Sequence, residues 1–242
     1  MKILVSQQTP SNLTPYENLQ KKYDAQIDFK PFFLVEPLSA KEFRAEKINL
    51  PDYTAIVFSS RHAIDAYFKL ADEMRFKVPE TMKYFCTTEA VAMYLQKHIV
   101  YRKRKIFFGD GSPKSVVALV TAKHKAEKFL IAATAGTNTE PFTSVFAAAK
   151  LDYTIGTLVK SVSQDLHDID LAGYGIVVMY NPSDVNSLKE NFPDFVQGGI
   201  KFISFGRSVV PAMEEAGIKI EVKGPTPEAP SAAKAIEICL ES

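Results

Sequence analysis

The stretch AIVFSSRHAIDAYFKL, from Ala55 to Leu70, decides the fold: an apolar β-rich run, a short polar turn and an amphipathic stretch follow one another. The pattern returns in GIVVMYNPSDVNSLKENF, from Gly175 to Phe192. A second pair, KYFCTTEAVAMYLQK (83–97) and KFISFGRSVVPAMEEAG (201–217), has the same offset of roughly 120 residues. Short, continuously apolar runs that lead into helical periodicity are typical of parallel strands covered on both faces. We therefore expect two such sheets.

The bulk composition is that of an ordinary soluble globular protein. The 242 residues are 46% hydrophobic and 24% charged, and the formal net charge is +1. This length suits two domains of about 110 to 130 residues, each with its own core. A charge near zero provides no global field that would attract nucleic acid or a membrane surface. Local features must therefore select the ligand.

The two cysteines and the first residues bear on the cellular compartment. Cys86 and Cys239 lie in apolar contexts without metal-ligand spacing, so we expect two buried thiols and neither a disulfide nor a metal site. The chain enters a strand at Lys2, which leaves no room for a signal peptide, and no run approaches the roughly 20 apolar residues of a membrane span. A cytoplasmic protein is expected.

Two extended segments predict how the chain passes between the domains. Pro31 and Pro37 exclude a helix from 25–39, and 152–163 occupies the equivalent place before the second half. The first strand cannot bury both faces unless it joins a sheet formed elsewhere. We therefore predict a discontinuous first domain, 1–30 with 164–242, a second domain, 39–151, and linker strands at 31–38 and 152–163.

The turns that follow the predicted strands are rich in Ser, Thr, Asn, Asp and Gly. They are 59–62, 87–89, 109–112, 181–184, 206–208 and 224–228. Each one taken singly is explained by ordinary helix capping. Together, on two facing domains, they predict two rims of hydrogen-bond donors, because ligands of parallel sheets bind at the carboxyl ends of strands. Helix N-termini favour carboxylates and phosphates, so a polyanionic ligand is expected.

Several signatures of other chemistry are absent or weak. The sequence contains no GxGxxG after a strand, no GxxxxGK[ST], no GxSxG and no HExxH. GDGSPKS (109–115) resembles a phosphate loop in composition only, and a simple turn is the favoured interpretation. The basic run YRKRK (101–105) precedes a buried strand, which favours a solvated connection over nucleic-acid binding. Of the four histidines only His62 lies on a predicted ligand-facing turn, and a surface or capping role is the favoured interpretation there.

Five segments together resemble the uroporphyrinogen-III synthase family. They are VFSSRHAIDAYF (57–68), PETMKYFCTTEAVAMYLQK (79–97), YRKRKIFFG (101–109), SLKENFPDF (187–195) and GPTPEAPSAAKAIE (224–237). The resemblance implies an α/β fold of two doubly wound parallel-sheet domains with flavodoxin-like topology, joined by a two-stranded β-ladder with a ligand cleft between them. It implies cyclisation of hydroxymethylbilane, which carries eight carboxylates, to uroporphyrinogen III with loss of water and inversion of the D ring.

The resemblance also implies how the reaction proceeds. The substrate loses its hydroxyl to form an azafulvene cation, which is attacked at a substituted pyrrole carbon, and the resulting spiro intermediate fragments and recloses. No cofactor or metal takes part. Because the free substrate already cyclises to the wrong isomer, holding one conformer would outweigh acid catalysis. A monomer that binds neither nucleic acid nor membrane is expected.

Three segments depart from the family pattern, one near the end of the second linker strand and two in turns, and all three fall in the predicted cleft. A usual VYRTV is LVKSV here, which replaces the proposed acid tyrosine by Val159 beside Lys160; a usual FSPSG is YNPSD (180–184), and a usual FGPATA or GPTTA is FGRSVV (205–210). No catalytic residue is assigned. The expected substrate-binding residues are Ser59, Ser60, Arg61, His62, Thr87, Thr88, Lys160, Asn181, Ser183, Gly206, Arg207 and Ser208. The alternative function is a divergent protein that binds a linear tetrapyrrole or another polyanion without turnover.

Overall fold

The apolar runs form the strands of two mainly parallel sheets in a computed structural model that describes all 242 residues. In chain order the strands are β1 (Lys2–Val5), β2 (Gln26–Phe29), β3 (Phe33–Pro37), β4 (Ala55–Phe58), β5 (Lys83–Cys86), β6 (Ile106–Phe108), β7 (Lys128–Thr134), β8 (Asp152–Ser163), β9 (Ile176–Met179), β10 (Lys201–Phe205) and β11 (Ile220–Gly224). The α-helices are α1 (Thr14–Tyr23), α2 (Ala40–Ala45), α3 (Arg61–Glu73), α4 (Glu89–Tyr94), α5 (Pro113–Ala118), α6 (Glu140–Ala148), α7 (Pro182–Asn191), α8 (Val209–Glu215) and α9 (Ala232–Glu241). None of these helices has the length and apolar character that a membrane crossing requires.

The chain divides into two units. Unit 1 consists of Met1–Leu34 and Val162–Ser242, and unit 2 consists of Val35–Ser161. The chain passes from one unit to the other along β3 and β8, which are hydrogen-bonded neighbours. The amide of Leu38 bonds the carbonyl of Leu158, and the amide of Gln164 bonds the carbonyl of Phe32. Because the partner numbers fall as the β3 numbers rise, the two strands run antiparallel. The predicted two-stranded ladder is therefore present.

Unit 1 contains a five-stranded sheet in the order β11-β10-β9-β1-β2, in which all neighbours are parallel. One face carries Ile3, Val5 and Ile27, on which α1 and α9 pack. The other face carries Leu4 and Val177, on which α7 and α8 pack. The sheet is therefore doubly wound, and numbered along the unit its order is 2-1-3-4-5, which is the flavodoxin-like order. The sequence reading did not separate β2 from the extended segment that contains β3.

Unit 2 contains a six-stranded sheet in the order β3-β8-β7-β4-β5-β6. Helices α3 and α4 cover the face with Ile56 and Phe58, and α5 and α6 cover the face with Val57 and Phe129. When the five parallel strands β4 to β8 are numbered in chain order, their spatial order is 3-2-1-4-5. Strands β7 and β8 lie on the opposite side of β4 from β5 and β6. The doubly wound α/β class is therefore confirmed in both units, whereas the flavodoxin-like order is found in unit 1 only. The difference arises because the chain first extends the unit 2 sheet from β4 to β6 and then crosses back to add β7 and β8 on the other side.

Each unit has one cysteine in its core. Cys86 ends β5 and packs in the main cluster of unit 2, and Cys239 of α9 packs in unit 1; both are buried and free. Burial raises the pKa of the Cys86 thiol to about 12 and that of Cys239 to about 11. Both thiols therefore stay protonated at neutral pH, and they act as small apolar groups in the two cores.

Candidate functional site

In unit 2 the predicted site residues lie at the carboxyl ends of β4 and β5. The register pairs Phe58 with Cys86, so the turns that follow these two strands are neighbours. The hydroxyl of Ser60 accepts a hydrogen bond from the amide of Ala63 at 3.1 Å, and it caps α3. The hydroxyl of Thr88 likewise caps α4. These two hydroxyls serve the helices, and the amides of the first α3 turn, at residues 61 and 62, have no intrahelical partner.

Arg61 provides positive charge on this rim, which we call the unit 2 rim (residues 59–62 and 87–88). Its guanidinium carbon lies 5.5 Å from the centre of the Tyr94 ring, a cation–π distance. The Tyr94 hydroxyl in turn donates to Asp65 at 2.7 Å. Arg61 takes part in none of the ion pairs, so no carboxylate neutralises it. Ser59 and His62 are exposed.

The neighbouring loop of residues 109–112 is not a phosphate cradle. Its four amides are all used within the protein: they bond the carbonyls of Cys86 and Thr87, the hydroxyl of Ser115 and the carboxylate of Asp110. Thr87, which is 6% exposed, is held in the same network. The turn interpretation of GDGSPKS therefore applies. Asp110 and Glu89 are exposed acids near this edge, so the positive charge of the unit 2 rim is concentrated at Arg61.

Lys160 lies apart from the other predicted residues of unit 2. It is on β8, which β7 separates from β4, and its ammonium lies 2.6 Å from the carboxylate of Glu42. Lys160, followed by the amide and hydroxyl of Ser39, lowers the pKa of Glu42 to about 2. The charge of Lys160 is thus already paired. Val159, at the position of the family tyrosine, is 1% exposed and belongs to the core, and its hydrocarbon side chain has no acidic proton to donate.

In unit 1 the turns after β9 and β10 are neighbours, because Met179 pairs with Ser204. A Cβ atom on Gly206 would lie 2.7 Å from the carbonyl oxygen of Tyr180, and the close approach of the two turns therefore requires glycine. Arg207 and Ser208 are exposed, and the Ser208 hydroxyl does not cap α8. We call residues 181–183 and 206–208 the unit 1 rim.

A concave pocket of about 430 Å³ adjoins the unit 1 rim at the carboxyl ends of β10 and β11. Its lining residues are Gly206, Arg207, Val210, Lys223, Gly224, Pro225, Thr226 and Pro227. Arg207 has no ion-pair partner, whereas Lys223 lies 2.9 Å from Glu214. The sequence reading did not select Lys223, although its position at the end of the last strand was a signal for it. A larger apolar pocket of about 470 Å³ includes Leu171 and Ile200, which precede β9 and β10, so it lies at the opposite edge of the sheet.

Asp184 was also missed, although the spacing of Asn181 and Asp184 is that of a capping box. The carboxylate is fully buried, and its Oδ2 accepts from the amides of Tyr180 and Asn181 at 2.8 and 2.9 Å. The amide of Asn181, which was expected to face a ligand, is therefore used inside the protein. In the first turn of α7, Pro182 has no N–H group, and the free amide is that of Ser183.

The arrangement of each rim suits a carboxylate ligand. No group of three or more His, Cys, Asp or Glu residues is placed to hold a metal ion. The rims offer the guanidinium groups of Arg61 and Arg207, the hydroxyls of Ser59 and Ser208, and the free amides at the start of α3 and α7. Guanidinium groups and helix N-termini both bind carboxylates. No side chain is placed as a nucleophile beside a base.

Comparison with known proteins gives one family. A family model described as uroporphyrinogen-III synthase HemD matches residues 15–234. The crystal structure of uroporphyrinogen-III synthetase from Helicobacter pylori is similar, with a TM-score of 0.60, 13% identity and coverage of 99% of this chain and 98% of that one. A mutant uroporphyrinogen III synthase from the extremely thermophilic bacterium Thermus thermophilus has a TM-score of 0.55, 12% identity and coverage of 100% and 98%.

At these identities the solved structures show a common fold, which agrees with the two parallel sheets described above. No curated protein sequence matches the chain at a significant level. The family match carries more weight, because it extends over nearly the whole chain, from the start of α1 into α9. This chain belongs to the uroporphyrinogen-III synthase family.

Proposed function

We propose that this chain cyclises hydroxymethylbilane to uroporphyrinogen III, with loss of water and inversion of the D ring. The observation that carries the proposal is the family match over residues 15–234. Family members with this activity act in haem biosynthesis, and by reaction type the enzyme is a lyase. The substrate is a small molecule with many carboxylates, which is the ligand class that both rims suit.

In this proposal each rim binds acetate or propionate groups of the substrate. Arg61 and Arg207 supply the unpaired positive charges, and each is exposed enough to reach a ligand. The amides at the start of α3 and the amide of Ser183 supply hydrogen bonds, and the hydroxyls of Ser59 and Ser208 add further donors. Ser60 and Thr88 act indirectly, because their hydroxyls cap helices. Lys160 contributes only if a substrate carboxylate displaces Glu42.

The chemistry asked of the protein is mainly positioning. Hydroxymethylbilane closes by itself to the unwanted isomer, so the enzyme must favour one conformer of a flexible chain over the others. Loss of the substrate hydroxyl requires a proton donor, and Val159 in the core does not provide it.

The test is to incubate the purified protein with hydroxymethylbilane and to resolve isomers I and III. We expect isomer III to dominate, and a product ratio equal to that without enzyme would refute the activity. Arg61→Ala and Arg207→Ala should each raise KM, whereas Arg104→Ala should not. Arg104 is a matched control because it is an exposed arginine away from both rims. Tight binding of the bilane without isomer III would instead support the non-catalytic alternative.

A further inference from the structure

The feature that carries a further inference lies where β1 and β9 meet in unit 1. These strands are parallel neighbours, and Val5 pairs with Val178. The helix after β1, α1, packs on one face of the sheet, and the helix after β9, α7, packs on the other. In doubly wound sheets, ligands bind at the carboxyl ends of the strands where the winding direction reverses.

Two buried polar groups flank this point. Asp184, in the first turn of α7, has no exposed surface, and Ser6, directly after β1, is 4% exposed. Oδ2 of Asp184 accepts two backbone hydrogen bonds, from Tyr180 and Asn181. Oδ1 of Asp184 and the hydroxyl oxygen of Ser6 have no hydrogen-bond partner of good geometry, although the Ser6 hydroxyl lies close enough to stabilise the carboxylate. An exposed carboxylate would cap a helix at a much lower desolvation cost, so a capping role alone does not explain this burial.

No positive charge compensates the buried carboxylate. Asp184 forms no ion pair and no hydrogen bond with Lys, Arg or His, and its near neighbours are Ser6 on the β1 side and the turn at residues 180–181. The phenol of Tyr180 interacts electrostatically with Asp184, and it also interacts with Tyr16 of α1. Burial raises the pKa of Asp184 to about 6, against the opposing effect of the two amides and of Ser6. The protonation of Asp184 is thus governed by burial and by the turn that it holds.

We propose that Asp184 is a positioning residue for substrate binding: by fixing the amides of Tyr180 and Asn181 it shapes the turn, so that the Ser183 amide and the Asn181 side chain are presented to a substrate carboxylate. The inference rests on the proposed function. Asp184 does not touch the substrate, and it acts through the turn. Its loss should therefore weaken the binding of a substrate carboxylate, which is not a reacting group, and this raises KM more than it lowers kcat.

Two substitutions separate this role from a purely structural one. Asp184→Ala removes both acceptors, and we expect KM to rise about tenfold at pH 7.5, with kcat changed less than about twofold. Asp184→Asn keeps an oxygen for the two amides and places an NH2 group beside Ser6, so KM should return to within about threefold of the wild type. Ser204→Ala is the matched control, because Ser204 on β10 is buried and equally unpartnered, and its hydroxyl forms no hydrogen bond with the turn.

The pH profile gives a readout that a structural role would not move. In the wild type kcat/KM should fall as the pH drops through about 6, where Asp184 gains a proton. The hydrogen bonds that it accepts from the two backbone amides then lose their charged acceptor. Asp184→Asn should lack this fall. Ser6→Ala should move it to higher pH, because the Ser6 hydroxyl lowers the pKa of Asp184. An unchanged fall in Asp184→Asn, or an unchanged KM in Asp184→Ala, would overturn the proposal.

A measurement without substrate keeps this inference separate from the activity. The amide resonances of Tyr180 and Asn181 should titrate by NMR with a midpoint near pH 6 in the wild type and stay constant in Asp184→Asn. If the protein forms no isomer III, the proposed function fails, but the amide titration still tests whether Asp184 controls the turn. Constant wild-type amides would refute that control even in an active enzyme.

Discussion

The burial of Asp184 should cost stability, and Asp184→Asn is expected to stabilise the protein at neutral pH. The carboxyl has a pKa of about 6 in the folded chain, against an ordinary value of 3.8. Between these values the folded state holds more protons than the unfolded state, so stability falls as the pH rises. Well above pH 6 the Asp184 carboxyl is ionised in both the folded and the unfolded state, and the loss of stability is complete. The difference of about 2 pKa units corresponds to about 3 kcal/mol.

The assay compares urea unfolding of the wild type and Asp184→Asn, followed by circular dichroism at several pH values between about 4 and 7.5. Because the protein has no Trp, circular dichroism is the suitable signal. The free energy of unfolding of the Asn variant minus that of the wild type should be about 2 to 3 kcal/mol larger at neutral pH than at the lowest pH. All other groups titrate equally in both proteins and cancel in this difference. A difference in unfolding free energy that does not change with pH, or that changes in the opposite direction, would refute the argument that the carboxylate is buried at a cost.

Three further predictions concern other parts of the chain. Gly206→Ala should lower the free energy of unfolding by about 1–3 kcal/mol and reduce isomer III formation, because the new methyl group meets the Tyr180 carbonyl; Gly199→Ala, where a Cβ has open space, should be neutral by the same urea and isomer measurements, and equal effects would contradict the clash. Phe58→Ala should lower the free energy of unfolding by about 3–5 kcal/mol, because this fully buried ring packs against Tyr67; a loss below about 1 kcal/mol in urea would contradict it. Ser39→Ala should lower the thermal midpoint through the loss of about 1 kcal/mol from the α2 capping box, and an unchanged midpoint would exclude a contribution from the cap.

The sequence predicted the fold class well because buried parallel strands have a simple signature. The runs at β4, β5, β9 and β10 are apolar on both faces, and each leads into an amphipathic helix that is preceded by Ser, Thr or Asn. Strand β2 lacks this signature: QIDF alternates with polar residues and runs towards Pro31, so it looked continuous with β3. The order of strands in unit 2 is not written in any local pattern, because it depends on which side of β4 the chain returns to after β6.

The candidate site was predictable by position but not by role. The turns at 59–62 and 206–208 follow strands, and their place at the carboxyl edge could be predicted from that fact alone. The sequence did not show that Glu42 already pairs with Lys160, because the two residues are far apart along the chain. It did not reveal Asp184 either, since an acidic residue in a first helical turn is normally exposed. Both outcomes depend on tertiary contacts, which periodicity does not report.

Because each core contains one buried thiol, the reactivity of the two cysteines reports local unfolding of each unit. An alkylating reagent cannot react with Cys86 or Cys239 until the core around the cysteine opens, because both thiols are protonated and buried. Mass spectrometry of timed alkylation would therefore read the opening rate of each half separately, without an added dye or mutation. Such a measurement would assign any change caused by a substitution to the half in which it acts.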